Sequence, residues 1–411
     1  MWVASSTEQA LVLDDLGKSD RIVAKQLLKG GPASQAELVA STGLSRPTVV
    51  GSLTKLDRAG LAGPVSVSKE PPSPRRRAQL YQLTTGAGVA VGVEIGRRHI
   101  TVIVSSAGHD ELGRWEEAVK ADADDNPAAV LDQCVNLVRE AVDSIDAPGG
   151  ILGVAVGIPV PVSSSGQVGS KALPAWTGIN PLQILAGQLR GLPVFVGNEA
   201  DMGALGEYTF GVGRGTRDLT YVKLGTGIGS GTVLNGRLYR GASGMAGELG
   251  HITIDYRGKL CPCGNRGCLE RYAGGKALLE DAERDGLAVQ DLPDIVSRAN
   301  RGDDACRRLI HEAAGFIGTG IGTMISINGP ELVILGGSLS ASGDLLLSPL
   351  RAALDVAAFA PVAHAVTLEF ASLDRWASAW GAVAFVFERV ISGSVRAWSP
   401  LDTNHLSKAS H

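Results

Sequence analysis

The sequence predicts an α/β protein in which a small, mainly helical head precedes a larger body of alternating strands and helices. Three observations carry this prediction. Short amphipathic segments separated by glycines fill the first 84 residues, and from residue 88 onward apolar runs of strand length alternate with helical periodicity. One histidine and three cysteines are also clustered late in the body. A chain of 411 residues is long enough for two or three such units.

The head is predicted to contain three short helices. The first covers residues 20–29 and ends at Gly30. Ser34 and Glu37 have the spacing of a capping box, which opens the second helix, and Ser45 is placed to cap the third. Helical spacing predicts that four apolar side chains of the third helix face inward: Val49, Val50, Leu53 and Leu56.

Two short helices joined by a glycine turn form a helix-turn-helix, whose second helix enters the major groove of DNA. A strand over residues 65–68 and a returning strand over residues 79–83 flank three adjacent arginines, which predicts a basic wing that contacts phosphates or a minor groove. A three-helix domain for protein contacts is the alternative. The residues predicted to contact DNA are Ser45, Arg46, Thr48, Ser52, Arg75, Arg76 and Arg77.

The clustered histidine and cysteines predict a metal site. Three thiolates and one imidazole make the closed tetrahedral ligand set of structural zinc, whereas a catalytic zinc keeps one position open. Buried, inert cysteines are the other alternative. Five cysteines with three in one cluster favour metal binding in a reducing compartment over a disulfide framework, and Cys134 and Cys306 are expected in the core. The predicted ligands are His251, Cys261, Cys263 and Cys268.

Two carboxylates flank these ligands. Glu248 precedes His251 by three residues, and Glu270 follows Cys268 by two. A metal cross-link would hold both near the imidazole, where each can accept a proton from a ligand hydroxyl; alternatively, they orient the zinc ligands from behind. The segment over residues 247–270 resembles the zinc-and-sugar motif of the ROK family, which unites repressors, uncharacterised frames and sugar kinases.

The resemblance implies a fold. ROK proteins contain two actin-like, ribonuclease-H-like lobes of the sugar kinase/Hsp70/actin superfamily, and a winged helix-turn-helix precedes them in the repressors. The strand, helix and strand pattern over residues 89–159 is similar to the start of the first lobe. The predicted domains are a winged helix-turn-helix over 1–86, a first lobe over 87–198 completed by a C-terminal helix at about 380–394, a second lobe with the zinc motif over 199–379, and a tail over 395–411.

The resemblance also implies site residues and a structural Zn²⁺ cofactor. His251 would place one ring nitrogen on zinc and turn the other toward the sugar, so that the metal fixes its tautomer. The residues implied to contact sugar hydroxyls are Asn198, Glu199, Glu248, His251 and Glu270.

Two departures from the family's kinases predict that phosphate chemistry is lost. Glu199 stands where the kinases have their catalytic aspartate, and a displacement of about 1 Å can cost roughly a hundredfold in rate. The first phosphate loop is Glu-Ile-Gly-Arg-Arg over residues 94–98, where the kinases have small residues that let phosphate approach. A second glycine-rich turn is either a vestigial phosphate loop or a tight hairpin; its residues include Gly225, Thr226, Gly227 and Gly229.

Together these features predict a sugar-responsive transcriptional repressor, not an enzyme, that binds operator DNA as a homodimer or homotetramer and a monosaccharide in the cleft. The first 84 residues carry a net charge of +4 and the remainder −8, as expected for a DNA-binding head on a small-molecule sensor. An ATP-dependent ROK sugar kinase with a DNA-binding head is the alternative, and a zinc-stabilised interaction protein is a third possibility. Whether sugar releases or promotes DNA binding is left open.

Composition gives the expected location. The sequence has no apolar run long enough to span a bilayer, and no basic patch leads into an apolar core at the N-terminus. We therefore expect a cytoplasmic protein with no membrane contact, associated with the nucleoid when bound to DNA.

Overall fold

The computed structural model describes residues 16–65, 79–120, 124–147, 149–163, 166–168 and 173–393. Within these ranges the chain forms a head with one small sheet and a body with two five-stranded sheets. The head consists of α1 (Lys18–Gly30), β1 (Ala33–Ser34), α2 (Gln35–Thr42), α3 (Arg46–Arg58), β2 (Ala62–Pro64) and β3 (Leu80–Leu83).

The predicted starts of the second and third head helices are confirmed, whereas the first helix begins at Lys18, two residues before its predicted start. The Ser34 side chain accepts from the Glu37 amide, and the Glu37 carboxylate accepts from the Ser34 amide at 2.7 Å. Ser45 caps α3 by accepting from the amide of Thr48. The three strands pair antiparallel in the order β1-β3-β2. Local capping hydrogen bonds thus fix the first residue of both helices of the helix-turn-helix, independently of tertiary packing.

Two predictions for α3 are wrong. Val50 was predicted to face inward but is 37% exposed, whereas Ser52, predicted to contact DNA, is only 3% exposed. The Ser52 hydroxyl donates to Asp20 Oδ1 at 2.7 Å. The buried stripe of α3 runs through positions 49, 52, 53 and 56, so Ser52 lies on the inner face and Val50 outside it. The predicted arginine wing at residues 75–77 lies outside the described residues.

The first body sheet has the strand order β6-β5-β4-β7-β8. Its strands β4 and β5 pair antiparallel, and β4 pairs parallel with β7. This strand hairpin followed by a helix and a central strand confirms the pattern predicted for the start of the body. The elements are β4 (Val89–Ile95), β5 (His99–Ser106), β6 (Glu111–Ala118), α4 (Pro127–Asp143), β7 (Ile151–Ile158), α5 (Pro181–Gln188) and β8 (Val194–Asn198).

The second body sheet has the strand order β11-β10-β9-β12-β13. Its strand β9 pairs antiparallel with β10 and parallel with β12. The elements of this half are α6 (Glu199–Thr209), β9 (Leu219–Leu224), β10 (Ile228–Leu234), β11 (Arg237–Tyr239), α7 (Glu270–Ala273), α8 (Gly275–Arg284), α9 (Leu292–Asn300), α10 (Asp304–Asn328), β12 (Leu332–Gly336), α11 (Asp344–Ala357), α12 (Ala360–Ala365), β13 (Thr367–Phe370) and α13 (Ala377–Ile391).

Two helices lie between the body sheets. The late helix α13 packs on β4 and β7 of the first sheet, and α6 packs on β9 and β10 of the second. The two helices also pack against each other, so they join the halves of the body. Cys134 and Cys306 are fully buried in the core, as predicted. Among the described residues, no helix combines the length and the apolar character that crossing a membrane requires.

Candidate functional site

A cleft of about 960 Å³ lies between the two body sheets. Its lining brings together residues from the carboxyl end of β8, the β9–β10 turn and the segment around His251, which are distant in sequence. Polar groups at the carboxyl ends of strands and at helix starts are the usual ligand contacts of open α/β sheets. All five residues implied to contact sugar line this cleft: Asn198, Glu199, Glu248, His251 and Glu270.

The predicted metal ligands form one cluster in which all four ligand atoms lie within 4.8 Å of one another. Cys263 Sγ is 3.7 Å from Cys268 Sγ, and Cys261 Sγ is 3.8 Å from His251 Nδ1. Ligands about 2.3 Å from a tetrahedral zinc are about 3.8 Å from each other, so the donors fit this geometry. The residues present can therefore hold a metal ion.

The backbone that brings the three sulfurs together reverses twice. Gly264 has φ +101° and Gly267 has φ +68°, both in the left-handed region that favours glycine. A Cβ atom on Gly267 would also overlap the carbonyl oxygen of Asp255. Glycine is therefore favoured at both turns of the metal-binding segment.

His251 and Glu248 link the metal cluster to the cleft. The Nδ1 atom of His251 faces Cys261, while the ring also lines the cleft, so one imidazole serves both places. Burial raises the pKa of the Glu248 carboxyl; His251 opposes this shift, and the Glu270 charge adds to it. By surface area the Glu248 residue is nevertheless exposed, so a ligand hydroxyl in the cleft can reach it.

Glu270 has a contact that the sequence did not reveal. Its Oε2 atom accepts from the amide of Ile228 at 2.9 Å, so the carboxylate ties the metal-binding segment to the start of β10. The turn before Ile228 is a tight hairpin in which Gly225 donates to the Gly227 carbonyl at 3.0 Å. The glycine-rich turn is therefore a tight hairpin that lines the cleft, and its role as a phosphate loop stays a prediction.

Asn198 and Glu199 occupy the junction of β8 and α6. The Asn198 side chain caps α6 by accepting from the amide of Ala200 at 2.8 Å, and it donates to the carbonyl of Val160 at 3.2 Å. It therefore holds the loop after β7 against the first turn of α6. The Glu199 side chain is 19% exposed and reaches into the cleft.

Lys223 is the cleft residue that sequence reasoning missed. Its ammonium, on β9, donates to the carboxylates of Glu94 and Glu199, at 2.7 Å to Glu199 Oε2. Burial alone would lower the pKa of Lys223, but the Glu199 and Glu94 charges more than offset this and raise it well above its ordinary value. A lysine two residues before the glycine-rich turn is the available signal, but its partners are 24 and 129 residues away.

The altered first phosphate loop also forms ion pairs. Arg98 Nη1 lies 2.7 Å from Asp291 Oδ2, which connects this loop to the residue that caps α9. Arg97 lies 3.4 Å from Asp124. At this end of the cleft, therefore, arginines pair with carboxylates where a phosphate-binding loop would present its amides.

The outer face of α3 presents only part of the predicted DNA-contact set. Ser45 and Arg46 are exposed and Thr48 is half-buried at the start of the helix. The exposed face continues at Val50 and Thr54, in steps of four residues from Arg46. The same spacing from Arg46 is visible in the sequence and places Val50 and Thr54 on the exposed face. Ser52 lies outside this face.

Comparisons with known proteins agree with this arrangement. The ROK family model matches residues 90–389. A xylose repressor from Caldicellulosiruptor bescii is 30% identical over 388 residues, which cover 90% of this chain and 96% of the repressor. A glucokinase from Streptomyces coelicolor is 32% identical over 287 residues, which cover 64% of this chain and 86% of the kinase.

A solved structure supports the same conclusion for the fold. A ROK family transcriptional regulator, described as a homologue of the E. coli MLC protein, matches with a TM-score of 0.72 at 24% identity. The match covers 93% of this chain and 98% of that regulator. The body therefore has the actin-like fold of ROK proteins with two mixed sheets, and the chain belongs to the ROK family.

Proposed function

We propose that this protein is a sugar-responsive, DNA-binding transcriptional repressor without useful sugar-kinase activity. One observation carries the proposal: similarity to a protein named xylose repressor extends over 90% of the chain, whereas similarity to a glucokinase extends over 64%. The head is the part that the ROK family model, matching residues 90–389, does not include. Xylose is accordingly the first sugar to test.

The sugar is held in the interlobe cleft by five side chains that accept or donate hydroxyl hydrogen bonds: Asn198, Glu199, Glu248, His251 and Glu270. Glu199 and Glu270 are half-buried and already hydrogen-bonded to Lys223 and Ile228, so they need little reorganisation to receive hydroxyls of a small ligand. Glu270 and Asn198 also accept hydrogen bonds from backbone amides, of Ile228 and Ala200 respectively. A sugar bonded to these two side chains is therefore linked through them to the hairpin and to the start of α6.

The metal is structural zinc, held by His251, Cys261, Cys263 and Cys268, whose donor types and spacing fit it. When bound, the ion supplies a cross-link that fixes the segment and the tautomer of the imidazole. The residues themselves do the binding: with Nδ1 of His251 used on the metal side, its Nε2 atom is the one that can meet a sugar hydroxyl.

Lys223 supports the absence of kinase activity. A sugar kinase needs a carboxylate that is free to take the hydroxyl proton and further groups that hold Mg²⁺ at the phosphates. Here the ammonium of Lys223 engages both Glu199, at the position of the base, and Glu94, in the first loop. A lysine ammonium thus pairs with both acids that this chemistry would use.

The DNA-binding surface consists of Ser45, Arg46 and Thr48 with Val50 and Thr54, extended by the arginines at residues 75–77. A homodimer or homotetramer presents two such heads to a palindromic operator, as its twofold symmetry requires. The domain division at residues 86, 198 and 379, the tail after residue 394 and a cytoplasmic location remain part of this proposal.

The first experiment selects DNA from a random pool with the purified full-length protein and measures binding of the selected sequence with and without each sugar. We expect a palindromic site and a shift in DNA affinity with one sugar class. A thermal-shift screen against the same sugars reports binding independently, because a ligand raises the melting temperature by mass action. A protein that selects no DNA and responds to no sugar would contradict the proposal.

Arg46→Ala tests the recognition helix. Arg46 is exposed at the start of α3, so its loss should weaken specific binding by about 1–3 kcal/mol and relax the sequence preference at one position. Fluorescence anisotropy with the selected DNA measures this. Arg58→Ala removes the same charge from the far end of α3 and should leave the sequence preference intact. Equal effects of the two variants would show that the recognition surface lies elsewhere.

The alternative is an ATP-dependent ROK sugar kinase with a DNA-binding head. It is favoured by the glycine hairpin that lines the cleft and by the glucokinase similarity. A coupled assay with ATP, Mg²⁺ and a panel of hexoses and pentoses separates the two functions. Turnover on the order of 1–100 per second would establish the kinase instead.

A further inference from the structure

The helices between the body sheets have their backbones in direct contact. A Cβ atom on Gly381 of α13 would overlap the carbonyl oxygen of Met202, and one on Gly206 of α6 would overlap the carbonyl oxygen of Ala377. Close-packed backbones cannot slide past each other without a clash, because protein interiors are as dense as organic crystals. The pair α6–α13 is therefore expected to move as one rigid unit.

One end of this helix pair lies at the cleft. Asn198 and Glu199, both implied sugar contacts, form the start of α6. The Ser378 hydroxyl, at the start of α13, donates to the carbonyl of Glu199 at 2.8 Å and so joins the two helix starts at the cleft. A ligand that displaces Asn198 or Glu199 therefore acts on both helices at once.

The other end of the pair meets the head beside Lys29, a half-buried cation of α1. Its side chain is 16% exposed, and its ammonium lies 3.4 Å from Glu388 of α13. The same ammonium donates to the carbonyl of Gly236 at 2.8 Å and lies 4.6 Å from the ring centre of Tyr208 on α6. One head residue thus contacts both helices of the pair and the β10–β11 turn.

Backbone atoms of the head are held at the same junction. Arg214, in the loop after α6, donates to the carbonyl of Gly30 at 2.9 Å. Arg21 of α1 donates to the carbonyl of Ile391, the last residue of α13, at 2.8 Å. These two bonds dock the first head helix on α13 and on the loop after α6, so α1 should stay docked, with part of the coupling retained, when Lys29 is altered.

We propose that the α6–α13 pair is the lever that couples the cleft to the head, and that Lys29 is the positioning residue through which it moves α1. This inference rests on the proposed sugar-responsive function. A sugar that binds one position of the pair better than another shifts the population toward it, and the head moves with the far end. The coupling is reciprocal: DNA changes the affinity for sugar by the same factor as sugar changes the affinity for DNA.

The test compares Lys29→Met with Lys25→Met in the full-length protein. Methionine keeps an unbranched apolar side chain and removes the charge. Lys25 lies one turn earlier on α1, is 37% exposed and is 3.7 Å from the same Glu388, so it is a matched control. For each protein, DNA affinity is measured with no xylose and at saturating xylose, or with whichever sugar stabilises the wild type in the thermal-shift screen. Sugar affinity is measured by calorimetry.

In the wild type we expect sugar to change DNA affinity by about 5–150-fold. In Lys29→Met the effect of sugar on DNA affinity should weaken several-fold, because the Arg21 and Arg214 bonds remain, and sugar affinity in the absence of DNA should be unchanged. Lys25→Met should keep the wild-type ratio. A wild-type ratio in Lys29→Met overturns the lever. Loss of the ratio in both lysine variants also overturns the specific role of Lys29, since a general charge effect then explains it.

Glu388→Gln provides a second measurement in case Lys29→Met does not fold. It removes the carboxylate and leaves the Lys29 contacts to Gly236 and Tyr208 in place. The fold change that sugar causes in DNA affinity should therefore decrease several-fold without disappearing. An unchanged ratio overturns the lever here as well. A wild type that binds DNA but shows no sugar effect would instead count against the proposed function, so the two failures are distinguishable.

Discussion

The two ends of the α6–α13 pair differ in how their polar groups are used. At the cleft end, Glu199 meets an ammonium from the opposite sheet and Asn198 caps the helix, and both also line an open cleft. At the head end, Lys29 is enclosed by Glu388 and Tyr208. The first end therefore lines a cleft that can hold a small molecule, whereas the second end is a junction with the head.

On the proposed function, this difference lets the fold act as a sensor. The cleft end carries the side chains proposed to bind hydroxyls, and its ammonium pairs with the acids that phosphate chemistry would use. Binding energy that a kinase directs to its transition state is then available to shift a conformational equilibrium. The metal cluster and Lys223 are expected to make the cleft end rigid. Three tests follow, from the largest expected effect to the smallest: two at the cleft end and one at the head end.

The largest effect is expected at the metal cluster. Cys263→Ser should lose zinc, and because structural zinc contributes on the order of 10 kcal/mol in small metal-dependent domains, the segment carrying Glu248 and His251 should lose its fixed shape. Metal analysis, together with the sugar-induced thermal shift, measures both consequences. Cys306→Ser, at a buried cysteine outside the cluster, should keep both. Sugar binding that survives in zinc-free protein would separate the metal from the sugar site.

A smaller effect is expected at Lys223. Lys223→Met leaves two carboxylates together without their cation, and breaking a largely buried ion pair costs about 3–5 kcal/mol. Urea denaturation measures the loss in the free energy of unfolding. Because carboxylates and Mg²⁺ attract each other, added Mg²⁺ should recover part of this loss in the variant and have little effect on the wild type.

The control for this test is the double variant Lys223→Met with Glu94→Gln. Removing the carboxylate that is 2% exposed together with its cation should restore a substantial part of the stability lost in the single variant. If the single variant is as stable as the wild type, Lys223 does not hold the two sheets together, and the contrast between the two ends is lost.

The smallest effect concerns pH at the head end. His109 packs edge-on against Phe210, whose ring is 4.8 Å from that of Trp380 on α13. Burial lowers the pKa of His109 from its ordinary 6.5; the Leu28 carbonyl opposes this, the Arg214 charge adds to it, and the Asp110 charge opposes it. As the pH falls through 6.5, His109 takes up a proton in the unfolded chain before it does so in the folded protein. The contribution of the neutral, buried His109 to the free energy of unfolding is therefore complete above pH 6.5 and is lost as the pH falls below it.

His109→Asn isolates this contribution, since asparagine tolerates the left-handed backbone at φ +73° and keeps a donor for the Leu28 carbonyl. The free energy of unfolding, followed from about pH 7 to about pH 5, should fall less steeply in the variant than in the wild type. Parallel pH profiles would mean that another group controls the acid sensitivity.

Much of the fold could be predicted because local patterns fix local structure. The capping pairs at Ser34 and Ser45, the alternating strands and the four metal ligands depend on near neighbours in the chain. The inner face of α3 was misassigned at Val50 and Ser52, because the partner of Ser52, Asp20, lies 32 residues away on another helix. A serine there has no local signal to distinguish a buried hydrogen bond from a DNA contact.

The sequence by itself determined the metal quartet, the set of cleft acids, the helix-turn-helix and the altered first phosphate loop, since each is a matter of residue type and short spacing. Only the tertiary structure decided that Lys223 joins Glu94 and Glu199, and that Lys29 meets Glu388 across the chain. These ion pairs form where two sheets or two helices meet. Packing of distant segments sets that distance, and spacing along the chain does not encode it.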